Sequence, residues 1–260
     1  MYLFYAFISL ISLITPLLKI DVCIPTLTPL SPTYIEDIHS KLPVNRLLTS
    51  SVKGRGNARQ DLINRVETDW FAFIDSDVYL NDDWFQTVRR YIGEDVGAVE
   101  GFWLYSNDKR VEDYYHAMER LRAHLRTNRI EVQRAFTGDT LIRTDAVKDI
   151  RIPNVHLYED EFIAQHVKNK GLKWVRTKEV ICNHTRKYNI DEAYEVGRHG
   201  AYFDYLSPRD QVARMLVKSP LKALYCALTT GNVSAARLEL VRQKRTMCGT
   251  LHATVQGWKY

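Results

Sequence analysis

Cysteine is scarce in this chain of 260 residues, and the four present, Cys23, Cys182, Cys226 and Cys248, form no Cys-x-x-Cys pair. That excludes a disulfide framework and a cysteine zinc site, and the four read as buried thiols of a reducing compartment. No internal repeat and no low-complexity segment occurs, which leaves one large domain or one domain with an appendage. Residues 1 to 18 lack any charge, and Tyr2 to Leu18 is largely apolar. No basic residue precedes this run and no small-residue cleavage site succeeds it, so a cleaved signal peptide is not expected. Its length is at the lower limit for a membrane-spanning helix. It reads as an N-terminal anchor or as an apolar helix docked on the domain. Lys19, the first charge, favours the cytoplasmic side for the domain beyond it.

What is present is a chain able to build a core: 45% of its residues are hydrophobic, so global disorder is excluded. The net charge of +5 is unevenly placed. Between Leu206 and Tyr260 stand nine Lys or Arg against two acids, Asp210 and Glu239, while the rest of the chain is close to neutral. A basic tail on a neutral body points to a polyanionic surface as partner. Within it Leu221, Leu224, Tyr225 and Leu228 recur at helical spacing, as do Val233, Ala236 and Leu240 and, later, Met247 and Leu251. Such faces flanked by cations suit a membrane surface, and they equally suit packing on the domain.

The most informative stretch is Asp69-Trp-Phe-Ala-Phe-Ile-Asp75-Ser-Asp77. An apolar run this short reads as a strand buried on both faces of a helix-covered sheet. Ligands of open α/β sheets bind beyond the carboxyl ends of such strands. Asp75 and Asp77, two residues apart, can point the same way there. A pair of hard oxygen donors suits Mg²⁺ or Mn²⁺ bridged to substrate phosphates. The same residues would also serve as an ordinary solvated turn.

Around this strand the pattern alternates. A strand at Ile20–Pro25 precedes a helix near 34–41, a strand near 44–49 and a helix near 57–67. After β-type residues 70–74 a helix is capped by Asn81, with Asp82 and Asp83 as structural residues of its first turn. Next come a strand at 96–103 and a charged helix at 111–126. Later, a helix at 162–170 ends at Gly171, two short strands cover 173–176 and 179–182, and Ser219-Pro220 opens a helix that Gly231-Asn232 closes. Strand alternating with helix specifies an α/β layer fold with a mostly parallel sheet.

Five stretches, in order, resemble the family 2 glycosyltransferases, inverting enzymes of the Rossmann-like GT-A fold. They are Ile24-Pro25-Thr26, Gly56-Asn57-Ala58-Arg59, Phe73-Ile-Asp75-Ser-Asp77 with Asp83-Trp84, Thr137-Gly138-Asp139 with Ile142-Arg143, and Glu159-Asp160 with the later His184. The resemblance covers roughly residues 20 to 186. It implies a catalytic domain at 19–205, with a basic helical extension at 206–260. One departure stands out: the family's acidic stretch after the second strand, which contacts base and ribose, is replaced by Thr49-Ser50-Ser51-Val52-Lys53-Gly54.

The resemblance implies transfer of a sugar from a nucleotide-sugar to a hydroxyl of a glycan or lipid-linked acceptor, with Mn²⁺ or Mg²⁺ as cofactor. It assigns Asp77 to the metal, Asp75 to the ribose or a metal-bound water, Asp160 to the base and Glu159 to its support. His184 is a candidate ligand of metal or diphosphate. Pro25, Thr26, Lys53 and Arg59 fall on the donor side, and Gly138 and Asp139 on the acceptor or sugar side. The expected place is the cytoplasmic face of a membrane, with no nucleic acid partner. A sugar-nucleotide pyrophosphorylase would need a glycine-rich loop after the first strand, where Thr26-Leu-Thr-Pro-Leu-Ser-Pro32 stands. A non-catalytic relative is supported only by the missing base-binding acid.

Overall fold

The computed structural model describes residues 18–105, 107–125, 135–155, 157–202 and 207–256. All of the N-terminal apolar segment but Leu18 lies outside the described residues. Among the described residues seven strands are formed: β1 (Ile20–Pro25), β2 (Val44–Ser50), β3 (Trp70–Ile74), β4 (Val78–Tyr79), β5 (Val96–Tyr105), β6 (Asp139–Arg143) and β7 (Lys173–His184). They make one sheet in the order β2-β1-β3-β6-β5-β7-β4. β1 pairs in parallel with β2 and β3, and β5 with β7. β6 enters antiparallel between β3 and β5, and β4 runs antiparallel to the end of β7. Five strands (β1, β2, β3, β5 and β7) therefore share one direction, as expected of the mostly parallel sheet.

Alternation along each strand divides the core in two. Ile20, Val22, Ile24, Trp70, Ala72 and Ile74 face one side with Tyr34 and Ile38 of α1 (Pro32–Lys41) and Trp84, Phe85 and Val88 of α3 (Trp84–Val88). Cys23, Phe71 and Phe73 face the other side with Leu62 and Ile63 of α2 (Arg55–Arg65), Val147 of α5 (Thr144–Val147) and Ile163 and Val167 of α6 (Glu159–Asn169). Period-two side chains on a doubly covered sheet explain why the β3 run is continuously apolar.

Some boundaries differ from expectation. Asn81 caps a turn ahead of α3: its Oδ1 accepts from Asp83 N at 3.1 Å, and the helix starts at Trp84. The two short strands after Gly171 are one strand, β7, bent where its register against β5 shifts between Glu100 and Phe102. Gly171 and Gly231 do end their helices, with φ of +77° and +67°. Ser219-Pro220 opens no separate helix. Helix runs unbroken through α8 (Pro208–Ala213), a π-helical turn at Arg214–Lys218 and α9 (Ser219–Thr230). Pro220 crowds the preceding turn and lacks an N–H, and the wider π turn just ahead of it accommodates both. Cys248 is exposed, unlike the other three cysteines, because it lies on the outer side of its helix.

The basic C-terminal segment is fastened to the domain. Tyr114 and Met118 of α4 (Lys109–Leu125) share a core with Ala223 and Cys226 of α9 and Ala235 and Leu238 of α10 (Val233–Gln256). Buried Glu239 accepts from Ser219 Oγ at 2.8 Å, from Tyr114 and from Arg242 at 2.8 Å. α10 also crosses α7 (Glu192–Tyr202) at two facing glycines. A Cβ added at Gly197 would lie 1.9 Å from Thr246 O, and one at Gly249 would lie 1.9 Å from Tyr194 O. Only glycine permits two backbones to approach this closely. Among the described residues no helix is long and apolar enough to cross a membrane.

Candidate active site

β3 stops at Ile74, and the chain turns through Asp75-Ser76-Asp77 into the two-residue strand β4. The pairing Val78↔His184 brings the end of β7 beside that turn. His184 Nε2 then meets Asp77 Oδ1 at 3.1 Å, and Thr185 N donates to Asp77 O at 2.8 Å. His184 is buried between Trp103, whose ring centroid is 4.5 Å away, and Tyr105, at 4.8 Å. Its Nδ1 is buried with no hydrogen-bond partner. Burial alone would raise the Asp77 carboxyl, but the His184 hydrogen bond and the charges of His184 and Arg186 outweigh it and hold its pKa below the usual value.

Arg59 ties the two acidic motifs together. From α2 its Nη2 reaches Asp75 Oδ1 at 2.9 Å, its Nη1 reaches Glu159 Oε1 at 2.7 Å, and its Nε donates to Thr137 Oγ1 at 2.8 Å. The guanidinium also lies over the Phe73 ring, 5.8 Å from its centroid. Burial works against the charge of Arg59, yet Glu159, Asp75 and Asp160 more than compensate and raise its pKa. The planar fork of an arginine suits three simultaneous contacts in a way a lysine cannot match.

Glu159 and Asp160 open α6 immediately after Tyr158, the one non-glycine residue with positive φ (+70°) among the described residues. Left-handed backbone in a tyrosine is strained, and such strain gathers where side chains are aimed for function. Tyr158 is held there by stacking on His199, 5.1 Å between centroids, and by donating to Val196 O at 2.9 Å. Asp160 is half-buried and its Oδ1 accepts from Glu161 N at 2.8 Å.

Pro25, Arg59, Asp75, Asp77, Gly138, Glu159, Asp160 and His184 all line one cleft of about 1170 Å³. Gly138 lies close under Asp75: an added Cβ would sit 3.2 Å from Asp75 Oδ2, so a larger residue there would push on that carboxylate. Three sequence candidates are not brought to this cleft. Lys53 is exposed outside it, and Thr26 folds its hydroxyl onto Thr28 O at 2.7 Å. Asp139 is wholly buried beneath the sheet, and neither carboxylate oxygen has a hydrogen-bond partner of good geometry. Burial, with Glu100 nearby, pushes its carboxyl well above the usual range, which suits a neutral acid inside the core. The structure adds residues that the motifs did not name. Trp103, Tyr105, Tyr115 and Tyr188 form an aromatic wall, and Arg186, Arg214, Lys222 and Arg242 bring cations to the end bounded by the C-terminal helices.

Among the described residues no group of three or more His, Cys, Asp or Glu side chains is arranged to hold a metal ion by itself. Asp75 Oδ1 is engaged by Arg59 and Asp77 Oδ1 by His184, leaving one oxygen on each carboxylate. That donor set fits Mg²⁺ or Mn²⁺, which take one or two carboxylates and complete their shell with phosphate oxygens and water.

The α/β layers and an acid-lined cleft at the carboxyl ends of the strands make a GT-A-like architecture. Residues 28–151, just under half of the chain, match the family model of Glycosyl transferase family 2. Through this segment the chain is similar to glycosyl transferase family 2. Its fold is similar to that of the mannosyltransferase PcManGT from Pyrobaculum calidifontis, solved in complex with GDP-Man and Mn²⁺. The TM-score is 0.58 and the identity 12%, over 98% of this chain and 95% of that one. Lesser likenesses, with TM-scores of 0.48 and 0.46, are to glucosyl-3-phosphoglycerate synthase from Mycobacterium tuberculosis (15% identity, 70% of this chain and 77% of that one) and to A197 from STIV (18% identity, 65% and 86%). No curated protein matches the chain significantly.

Proposed function

We propose that the protein transfers a sugar from a nucleotide-sugar donor to a hydroxyl of a glycan or lipid-linked acceptor, with inversion at the anomeric carbon and with Mn²⁺ or Mg²⁺. One observation carries this reading: Asp75, Asp77, Glu159 and Asp160 meet in one cleft, with Arg59 bridging the two motifs. A solvated turn and an acidic helix start, the ordinary explanations of these acids, do not require that meeting.

In this mechanism Asp77 and Asp75 would hold a divalent cation, which when bound would supply neutralisation of the charge growing on the diphosphate leaving group. His184 keeps Asp77 oriented through Nε2. Asp160 takes the proton of the acceptor hydroxyl as its oxygen attacks the anomeric carbon and the bond to the diphosphate oxygen breaks. Arg59 pairs with both Asp75 and Glu159 and so holds the start of α6 against the end of β3. The aromatic wall of Tyr105, Tyr115 and Tyr188 offers flat faces on which a sugar ring can stack. Support for the nucleotide-sugar and the metal comes from the mannosyltransferase complex of the same fold. The intact acids argue against a non-catalytic relative.

A melting screen of nucleotide-sugars with and without Mn²⁺ tests this. A true donor at 100 times its dissociation constant adds about 2.7 kcal/mol of stability, only with the metal. A screen in which no nucleotide-sugar shifts the transition, with or without metal, would remove the proposal.

A further inference from the structure

The helical run through α8, the π turn and α9 is amphipathic in the reverse sense. Its inward row is small or polar: Gln211, Ser219, Ala223 and Cys226 are buried against the domain. Its large apolar side chains point to solvent. Leu216 is 67% exposed, Leu221 62%, Leu224 57% and Leu228 77%, with Val212 and Val217 also exposed. The rows 219-223-226 and 221-224-228 both keep helical spacing, and at 3.6 residues per turn their mean directions lie about 170° apart. Helices of globular domains turn the large apolar stripe toward the core. Single exposed leucines are ordinary, but six large apolar residues along one short run make a contiguous patch of the kind that marks an interaction surface.

Charge decides what the surface fits. From Gln211 to Leu238 the sequence has no acid and four cations, Arg214, Lys218, Lys222 and Arg237. On α10 the acid, Glu239, is buried and paired with Arg242. We propose that the outer face of this run, Val212 to Leu228, docks on an anionic lipid bilayer, its leucines entering the interface while cations at its rim, exposed Lys218 foremost, meet the headgroups. Two other occupants fit less well. The segment 1–18 is apolar but uncharged, so it would leave the flanking cations without counter-charge. A second copy placed on the same face would bring like cations together.

Docking requires no assumption about the reaction. Its consequence for the proposed reaction lies in Arg214 and Lys222, which belong to the same run and line the cleft. A bilayer on the outer face therefore sets the end of the cleft bounded by the C-terminal helices at headgroup level.

The test reads lipid contact directly, without an activity assay. In the full chain carrying Cys248→Ser, a single environment-sensitive fluorophore is attached at Leu224→Cys, at Leu228→Cys or, as control, at Ser40→Cys on α1. Vesicles of phosphatidylcholine alone, or mixed with phosphatidylglycerol, are added at low and high salt. The expected result is a blue shift and quenching by acyl-chain nitroxides at 224 and 228, with anionic vesicles at low salt, and no change at 40. The triple variant Leu221→Ser, Leu224→Ser, Leu228→Ser should lose vesicle co-sedimentation by about tenfold or more, with unchanged circular dichroism and melting, because the sites are exposed. Three results would overturn the proposal. One is vesicle binding while positions 224 and 228 stay in water, which assigns attachment to residues 1–18. Another is absence of vesicle binding. The third is a lipid-free dimer by light scattering that the triple variant converts to monomer, which assigns the face to a second copy.

Discussion

Replacing Arg59 with methionine removes a cation from between two acids, and the cost can be worked out from what each acid can do next. Asp75, whose side chain is 34% exposed, can rehydrate. Glu159, with a side chain only 5% exposed, cannot. It must stay ionised and unpaired or take up a proton, and the cheaper course bounds the penalty. Protonating an ordinary glutamate at pH 7 costs about 3.7 kcal/mol, since its pKa is about 4.3 and each pH unit is about 1.36 kcal/mol. Losing the Thr137 hydroxyl contact adds about 1 kcal/mol at any pH. The total of about 4 to 5 kcal/mol at pH 7 matches the roughly 3–5 expected when one partner of a buried pair is removed. The penalty depends on pH with a definite sign. A buried carboxyl without its cation has a raised folded-state pKa, so it subtracts stability above its unfolded pKa, and the loss fades as pH falls toward that value. At pH 5 the proton-uptake part shrinks to about 1 kcal/mol. Urea unfolding of wild type and Arg59→Met at both pH values, monitored by far-ultraviolet circular dichroism, measures the difference. An equal loss at the two pH values, or one below about 1.5 kcal/mol at pH 7, would show that Glu159 is not held as a buried anion by Arg59.

Asp77→Asn should keep the fold and abolish metal-dependent donor binding, as read by Mn²⁺-dependent melting shifts; wild-type metal dependence in that variant would contradict the assignment. His184→Ala should weaken Mn²⁺ binding by about 10- to 100-fold, the usual effect of losing a group that orients a ligand, measured by titration in the presence of nucleoside diphosphate. Asp160→Asn should still bind donor with metal but lose transfer by about 10² to 10⁴; loss of donor binding instead would move Asp160 to the nucleotide site. Gly249→Ala forces a methyl against the backbone of α7 and should destabilise the C-terminal helices by about 1–3 kcal/mol or more, seen as early loss of amide protection across α10; unchanged protection would mean that the crossing is looser than the structure has it.

How far the site was readable depended on whether its signal was local. The β3 run and the acids that end it were legible because a doubly buried strand has a composition no other element shares, and because ligands gather past its carboxyl end. Asp160 became visible only through the order of motifs, since Glu159-Asp160-Glu161 alone is an ordinary helix start. Arg59 was recognisable as a cation of the donor side. Its actual partners, Asp75 and Glu159, lie 16 and 100 residues away, and no local pattern encodes that bridge. Asp139 misled through its neighbour: Gly138 faces the cleft, and at period two the next side chain points into the core. Arg214, Lys222 and Arg242 were seen as tail charge. That they line the cleft depends on how α7 and α10 cross, which rests on Gly197 and Gly249 and leaves no periodic trace.

The π turn at Arg214–Lys218 has an evolutionary consequence. A π turn is what one inserted residue leaves in an α-helix, and every position beyond it is rotated by about 100° relative to those before it. Deleting a single residue within 214–218 would restore ordinary winding, and with Ser219 kept on Glu239 the side chains of α8, Gln211 and Val212 among them, would turn by about 100° relative to the leucines of α9. A one-codon event is thus enough to join or divide the exposed apolar side chains of α8 and those of α9 in a lineage. Among relatives, the length of this segment should therefore track whether the residue at 212 is apolar together with those at 221, 224 and 228, even where the acids of the cleft are unchanged.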